Sequence, residues 1–179
     1  AFIDYDGNGW LDIYLVDGAT TDADDIKPMP VNKLYRSHEA QRFVDVSGDV
    51  GAADTGYGMG CAIADYDNDG DQDLFVANYG ADAFFQNDDG RFLEVTDETG
   101  LGDPRWATSA GFLDYDNDGD LDLFVTAYVD FDIFHNVSCK KGRVRSYCEP
   151  ETYPPARDIL YRNDDVDGRS AYVDVTAET

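Results

Sequence analysis

Basic residues are scarce in this chain. Its 179 residues carry 13 lysines and arginines against 38 aspartates and glutamates, a formal net charge of −25. So acidic a surface repels nucleic acid and anionic membranes, both polyanions, and attracts cations. Histidine is scarcer still. His38 lies in the turn RSHEAQR and His135 in a long insertion, neither at a recognisable spacing from a nucleophile, so each reads as solvated or locally bonded. The serines and cysteines show no elbow or triad context. The glycine-rich GYGMG (56–60) lacks the lysine of a phosphate-cradling loop. These absences set the expectation of a non-catalytic protein. No run of 18 apolar residues occurs, so no spanning helix and no membrane insertion are expected. The opening Ala1-Phe2-Ile3-Asp4 has no signal-peptide character and enters the first motif directly, as expected of a processed form or a piece of a longer chain.

Cysteine is limited to three residues. Cys139 and Cys148 lie nine apart in the polar segment SCKKGRVRSYC and read as a disulfide clipping a loop, with two free thiols or half of a metal site as the alternatives, though no CxxC or nearby histidine completes such a site. Such a bond points to an oxidising, extracellular compartment. Cys61, in the apolar GMGCAIAD, reads as a small buried filler. Asn136-Val137-Ser138 is a glycosylation match that matters only in a glycosylating host.

What the chain has is a repeat. FIDYDGNGWLDIYLVDG (2–18), IADYDNDGDQDLFVANY (63–79) and FLDYDNDGDLDLFVTAY (112–128) superimpose without gaps. A second element follows each, at 34–51, 84–100 and 160–179. Three units result: 1–51, with an acidic and proline-bearing insertion at 18–31; 52–100; and 101–179, with a longer insertion at 129–158. Each reads as four short antiparallel strands, in the second unit GCAIADY, DLFVANY, DAFFQN and RFLEVTD (91–97), cut by Asn-Asp-Gly turns. Glycine and aspartate interrupt every run too early for helix, so none is expected outside the insertions. The fold class is all-β, with about three four-stranded propeller-like blades forming an incomplete ring or part of a larger assembly.

Each unit holds an acidic loop. In the second, Asp65, Asp67, Asp69 and Asp73 occupy positions 1, 3, 5 and 9, with Gly70 at position 6 and the backbone carbonyl of Asp71 at position 7. Alternate side chains of a tightly turning chain can surround one ion, and the glycine permits the turn. An all-oxygen, flexible set selects calcium over magnesium. The third loop repeats this with Asp114, Asp116, Asp118, Asp122, Gly119 and the backbone of Asp120. The first uses Asp4, Asp6, Asn8, Asp12, Gly9 and the backbone of Trp10, and Asn8 makes it the weakest. Position 12 is Leu15, Val76 or Val125 instead of glutamate, so these are not EF-hands. Three bound ions would bring −25 only to −19, so the sites do not account for all the acidity. Their expected job is structural, bracing a loop between two strands.

The pattern D-Y-D-N-D-G-D-x-D-L-F-V, followed by L-Y-R-N, an Asp/Gly turn and F-x-x-V-T, resembles the FG-GAP/VCBS repeat family. The stretch C-K-K-G…C-E-P-E…P-P-A-R-D-I-L-Y-R-N resembles its cartilage-acidic-protein group, whose members often carry an ASPIC/UnbV domain. This resemblance implies a secreted or surface-exposed protein, β-propeller blades, and calcium held by the loop positions already named. GYGMG stands where the family has its glycine-rich stretch, and WATSAG (106–111) is a weak copy of it. Three units cannot close a seven-bladed ring, and the first lacks the beginning of its opening strand. A longer parent, or head-to-tail stacking of identical chains into a filament, would cover the open ends. The expected role is a calcium-stabilised extracellular structural or adhesion module contacting proteins or glycans. The alternative is a polysaccharide-binding or polysaccharide-processing propeller fragment of a larger enzyme. Trp106, Tyr57 and Tyr79 are candidate glycan contacts, with blade packing as their other reading.

Overall fold

A computed structural model describes residues 1–18, 30–39, 41–165 and 170–177. Most of the 18–31 insertion therefore lies outside the described residues. The described residues form three four-stranded antiparallel sheets. The first blade is β1 (Phe2–Ile3), β2 (Asp12–Leu15), β3 (Lys33–His38) and β4 (Arg42–Asp45), and the second is β5 (Tyr57–Ala64), β6 (Asp73–Tyr79), β7 (Ala83–Asp88) and β8 (Arg91–Glu94). The third begins with β9 (Ala107–Leu113) and β10 (Asp122–Ala127). The long insertion carries a two-stranded hairpin, β11 (Lys140–Lys141) and β12 (Val144–Arg145), before β13 (Ile159–Asp165) and β14 (Ser170–Asp174) complete the blade. The Cys139–Cys148 disulfide closes that hairpin, across which the Ser146 N–H donates to the Cys139 carbonyl.

Helix appears where none was expected. The fourth strand of the second unit stops at Glu94, and Thr96–Thr99 form a single helical turn, α2, as Ser47–Val50 form α1 in the first unit. The cause is the V-T element. The Val46, Val95 and Val175 N–H groups donate to the carbonyls of Leu34, Phe84 and Leu160. The hydroxyls of Ser47, Thr96 and Thr176 then accept the N–H groups of those same residues, at 2.8, 2.9 and 3.0 Å. A hydroxyl that takes the ladder's next donor ends the strand. In the first two units the diverted chain makes one turn and stops at a left-handed glycine, Gly51 (φ 85°) or Gly100 (φ 80°).

The blades pack face to face. Alternate residues of a strand point to opposite faces. Leu74 and Val76 of β6, with Phe85 and Phe92, therefore meet Ile3, Tyr5, Tyr14 and Leu34 of the first blade. Phe75, Tyr66 and Phe84 meet Leu123, Val125, Tyr161 and Tyr172 of the third. This double burial is why DLFVANY is apolar almost throughout. The outward faces of the flanking blades differ: Phe2, Leu15 and Phe43 are exposed on the first, Leu113 and Phe124 on the third. Cys61 is half-buried and packs against the first interblade cluster.

GYGMG is glycine-rich because neighbouring segments of both flanking blades crowd against it. A β-carbon at Gly60 would lie 2.7 Å from the Thr108 carbonyl oxygen of β9, and one at Gly58 would lie 2.2 Å from Val16. Polar groups join the blades beside it. Asp54 accepts from Asn32 Nδ2 and Asn78 Nδ2, each at 3.2 Å, and Asp82 accepts from the Asn78 N–H at 2.8 Å. Asp82 is buried, which pushes its carboxyl up to about 8 against the opposing Asn78 N–H.

Two predictions arise from this packing. Gly60→Ala forces the second and third blades apart and costs about 1–3 kcal/mol in urea unfolding. Folded Asp82 keeps its proton while the unfolded chain releases it near pH 4. Its contribution to stability therefore falls as pH rises from about 4 to 8. The advantage of Asp82→Asn over the parent chain, measured by urea unfolding in fixed excess calcium, should be smallest near pH 4 and grow towards pH 8. A difference independent of pH would contradict the buried, protonated carboxyl.

Candidate metal centres

The three acidic loops adopt one geometry, connecting the first and second strands of each blade. Position 4 is left-handed, at Gly7 (φ 61°), Asn68 (φ 59°) and Asn117 (φ 63°), and so is the position 6 glycine, for example Gly70 (φ 99°). Only glycine and asparagine adopt this conformation routinely, which accounts for the Asn-Asp-Gly spelling. The position 1 carboxylate caps the turn: Asp65 accepts from the Asp69 and Gly70 N–H groups, each at 3.0 Å. Asp4 does the same with Asn8 and Gly9, at 3.0 and 2.9 Å. Asp114 accepts from Gly119 at 3.3 Å.

Position 9 is the buried member. Asp12, Asp73 and Asp122 are all at 0% exposure. Asp73 accepts the Tyr66 N–H at 3.0 Å on one oxygen and the Asn87 N–H at 2.8 Å on the other. Asp122 accepts from Tyr115 and Asn163, both at 2.9 Å, and Asp12 from Tyr5 and Ser37, at 3.3 and 2.6 Å. One carboxylate thus ties the start of each loop to the third strand of its blade, at the last residue of the L-Y-R-N element. Burial pushes the Asp73 carboxyl up to about 7; its two N–H donors oppose the shift, and Asp67 and Asp69 add to it. Asp12 and Asp67 are likewise raised, first by burial.

The fold draws positions 1, 3 and 9 together. In Asp4/Asp6/Asp12, Asp65/Asp67/Asp73 and Asp114/Asp116/Asp122, one oxygen from each side chain lies within 4.8 Å of the others. Two oxygens on one calcium, each at roughly 2.5 Å, are at most about 5 Å apart, so these spacings suit a common ion. The position 5 side chains Asn8, Asp69 and Asp118 turn to the backbone instead, accepting from the N–H groups of Trp10, Asp71 and Asp120 at 2.8, 2.9 and 3.0 Å. Asp69 and Asp118 lie outside the three clusters. The position 7 side chain of Asp71 is also engaged, accepting from the Asp89 N–H at 2.7 Å.

The residue types fit a divalent cation. Every clustered donor is a carboxylate oxygen, and Asp6 Oδ1 and Asp67 Oδ1 are buried without a hydrogen-bond partner among the described residues. Like charges crowded in this way raise one another's pKa; a cation among them reverses that, favouring the ionised form.

The third residue of the L-Y-R-N element touches the site, a contact that the loop spacing alone does not disclose. Arg36 Nη2 lies 2.6 Å from Asp6 Oδ2, and Gln86 Nε2 donates to Asp67 Oδ2 at 2.6 Å. In the third blade Arg162 turns away and pairs with Asp164 at 2.7 Å. The fourth residue is a latch between blades. Asn87 Nδ2 donates to the Tyr5 carbonyl of the preceding loop at 2.9 Å, and Asn163 Nδ2 to that of Tyr66 at 3.4 Å. Recurrence of L-Y-R-N at a fixed place in each unit was the available signal.

The other candidates lie elsewhere. Tyr57, Tyr79 and Trp106 sit at the opposite pole of the blades, where Tyr79 packs edge-on against both of the others. Asn136 is exposed and its amide oxygen accepts from the Tyr153 hydroxyl at 2.6 Å. His135 bonds to Asp132.

No curated protein matches the chain. The FG-GAP-like repeat matches it over residues 4–76 and 65–125, segments that run from the first acidic loop through the second strand of the third blade. With both matches covering most of the chain and the same loop, latch and V-T geometry in successive blades, this chain belongs to the FG-GAP-like repeat family.

Proposed function

We propose that this chain is a calcium-stabilised, extracellular, non-catalytic module whose propeller-like blades present surfaces for contact with proteins or glycans. The observation that carries the reading is the threefold recurrence of a carboxylate cluster built on a buried aspartate. In each cluster that aspartate already bridges two strands of its blade. An ion shared with positions 1 and 3 would lock the loop to the same bridge and offset the repulsion among its carboxylates. The disulfide supports an oxidising compartment. Among the described residues, no helix is long and apolar enough to cross a membrane. The clusters are occupied by this structural chemistry, which leaves them poor candidates for acid–base catalysis. The exposed apolar faces of the first and third blades are assembly surfaces in this proposal, covered by a further blade of the same chain or of another copy.

The loops are not equivalent. The first offers an amide at Asn8, and its Asp6 already has the Arg36 guanidinium against it. A fixed cation beside a ligand carboxylate opposes a second one. The first loop is therefore the weakest site.

Calcium at a hundredfold excess over its dissociation constant stabilises the folded chain by about 2.7 kcal/mol per site, and removal by chelator should lower Tm by at least about 5 °C. Titration should count about three ions, as one class per cluster requires. A melting curve indifferent to chelator, with no calcium bound in titration, would remove the reading. Within the titration, Arg36→Gln, which installs the second blade's residue, should tighten the weakest site several-fold and leave the other two as they are. No change at the weakest site would show that Arg36 does not compete with the ion.

A further inference from the structure

The end of the blades away from the acidic loops is a different surface. From Asp73 to Tyr79, β6 spans seven residues, about 20 Å at some 3.4 Å per residue. At that far end the rings of Tyr79, Trp106, Tyr128, Phe131 and Tyr153 form one connected group. Trp106 lies 5.3 Å from both Tyr128 and Phe131, and Phe131 lies 5.3 Å from Tyr153. Four of these rings, Trp106, Tyr128, Phe131 and Tyr153, wall a cavity of about 760 Å³, completed by Asn136, Arg145 and the disulfide-closed hairpin. That volume suits a small ligand, and so does an aromatic wall with few polar groups. The Trp106 indole N–H is buried without an acceptor among the described residues.

The hairpin brings the charge. Lys33, Arg36, Arg105, Arg157 and Arg162 each pair with an aspartate; among the described residues the isolated Arg42 and Arg91 make no ion pair, and neither do Lys140, Lys141, Arg143 and Arg145. In a chain of net charge −25 this is a local concentration of unpaired positive charge. The register places Lys140 directly opposite Arg145. Like charges so paired across two strands destabilise the hairpin unless an anion lies between them. The disulfide, which ties Cys139 to Cys148 with 5.2 Å between α-carbons, holds the two together regardless.

We propose that this cavity and hairpin bind an acidic oligosaccharide, with sugar rings stacked on the Trp106–Tyr128–Tyr153 wall and a uronic carboxylate held by Arg145 and Lys140. The proposal rests on the reading of the chain as a glycan- or protein-contacting module, and gives that reading a place and a ligand class. The weakly positive C–H face of a pyranose ring complements the negative face of an aromatic ring. The guanidinium fork matches a carboxylate with two parallel hydrogen bonds. Quaternary ammonium ligands also favour aromatic walls, but here Arg145 would repel them. A long nucleic acid meets the repulsion of the whole chain, whereas an oligosaccharide with spaced carboxylates meets only the hairpin.

The test uses the full chain, made in a non-glycosylating host so that Asn136 stays unmodified, with calcium present. Calorimetric titration compares a uronic-acid oligosaccharide, the same oligosaccharide with its carboxylates reduced to alcohols, a sulfated neutral-backbone oligosaccharide, and tetramethylammonium. The expected result is binding of the uronate that weakens at least about tenfold on carboxyl reduction, on Arg145→Gln and on Lys140→Gln, roughly the loss of one charged hydrogen-bond pair. Arg145 is exposed, so Arg145→Gln should keep the parental melting temperature. Uronates chelate calcium themselves, and bridging through the acidic loops would leave the Arg145→Gln chain binding normally; that outcome overturns the proposal. So does equal binding of the reduced sugar, preference for the sulfated sugar or for tetramethylammonium, or no binding at all. A chelator-sensitive Tm together with no uronate binding would sink this inference alone and leave the calcium reading standing.

Discussion

Three buried aspartates hold this structure together. Asp12, Asp73 and Asp122 each sit at zero exposure, with one oxygen on a backbone N–H of the acidic loop and the other on a backbone N–H of the third strand. A buried carboxylate is costly unless its charge is met by hydrogen bonds or a cation. Here two N–H donors meet part of the charge, and the neighbouring carboxylates of positions 1 and 3 gather beside it in a cluster that could hold a cation. Because the aspartate lies at the start of the second strand, the same contact fixes the loop, the register of that strand and the place of the third. Removing it would leave two buried N–H groups without acceptors in every blade that lost one.

The connection between blades runs through the same element. The loop's second residue, Tyr5 or Tyr66, gives its N–H to the buried aspartate and its carbonyl to the Asn87 or Asn163 amide of the next blade. Its ring packs into the next blade as well, Tyr5 near Phe92 and Tyr66 near Tyr172. Loop, carboxylate cluster and interblade packing are therefore one mechanical unit. In the third blade Tyr115 has no described blade to pack against and is half-exposed. The two poles differ in composition: the acidic one holds the carboxylate clusters, and the aromatic one carries the disulfide-closed hairpin with its basic residues.

Much of this was legible in the residues because the repeat supplies its own control. An Asp-rich turn seen once also reads as a solvated corner; seen three times, with the fourth aspartate in place each time, it points to a common geometry, and the three loops share one. The strands were legible from their apolar runs, and β6 occurs over the expected 73–79. The short helical turns were not. V-T-D-E-T reads as the end of a strand until the Thr96 hydroxyl is seen taking the Phe84 N–H. Nor was the division of labour among the loop's acids legible. Spacing treats positions 1, 3, 5 and 9 alike, whereas the fold gathers positions 1, 3 and 9 and turns position 5 to the backbone.

The sequence by itself determined the local chemistry: which residues can turn left-handed, which oxygens face a tight loop, and which runs must be buried on both sides. These follow from short-range sterics and from periodicity, and both are written in neighbouring residues. Only the tertiary structure decided what lies across a gap in the chain. It set Arg36 against Asp6, a contact thirty residues apart that the first blade alone makes. It backed Gly60 onto Thr108, where no side chain would fit. It also gathered Trp106, Tyr128 and Tyr153 beside Arg145 into one cavity. Partners distant in sequence are chosen by how sheets stack and which edges meet, and no local pattern records that choice.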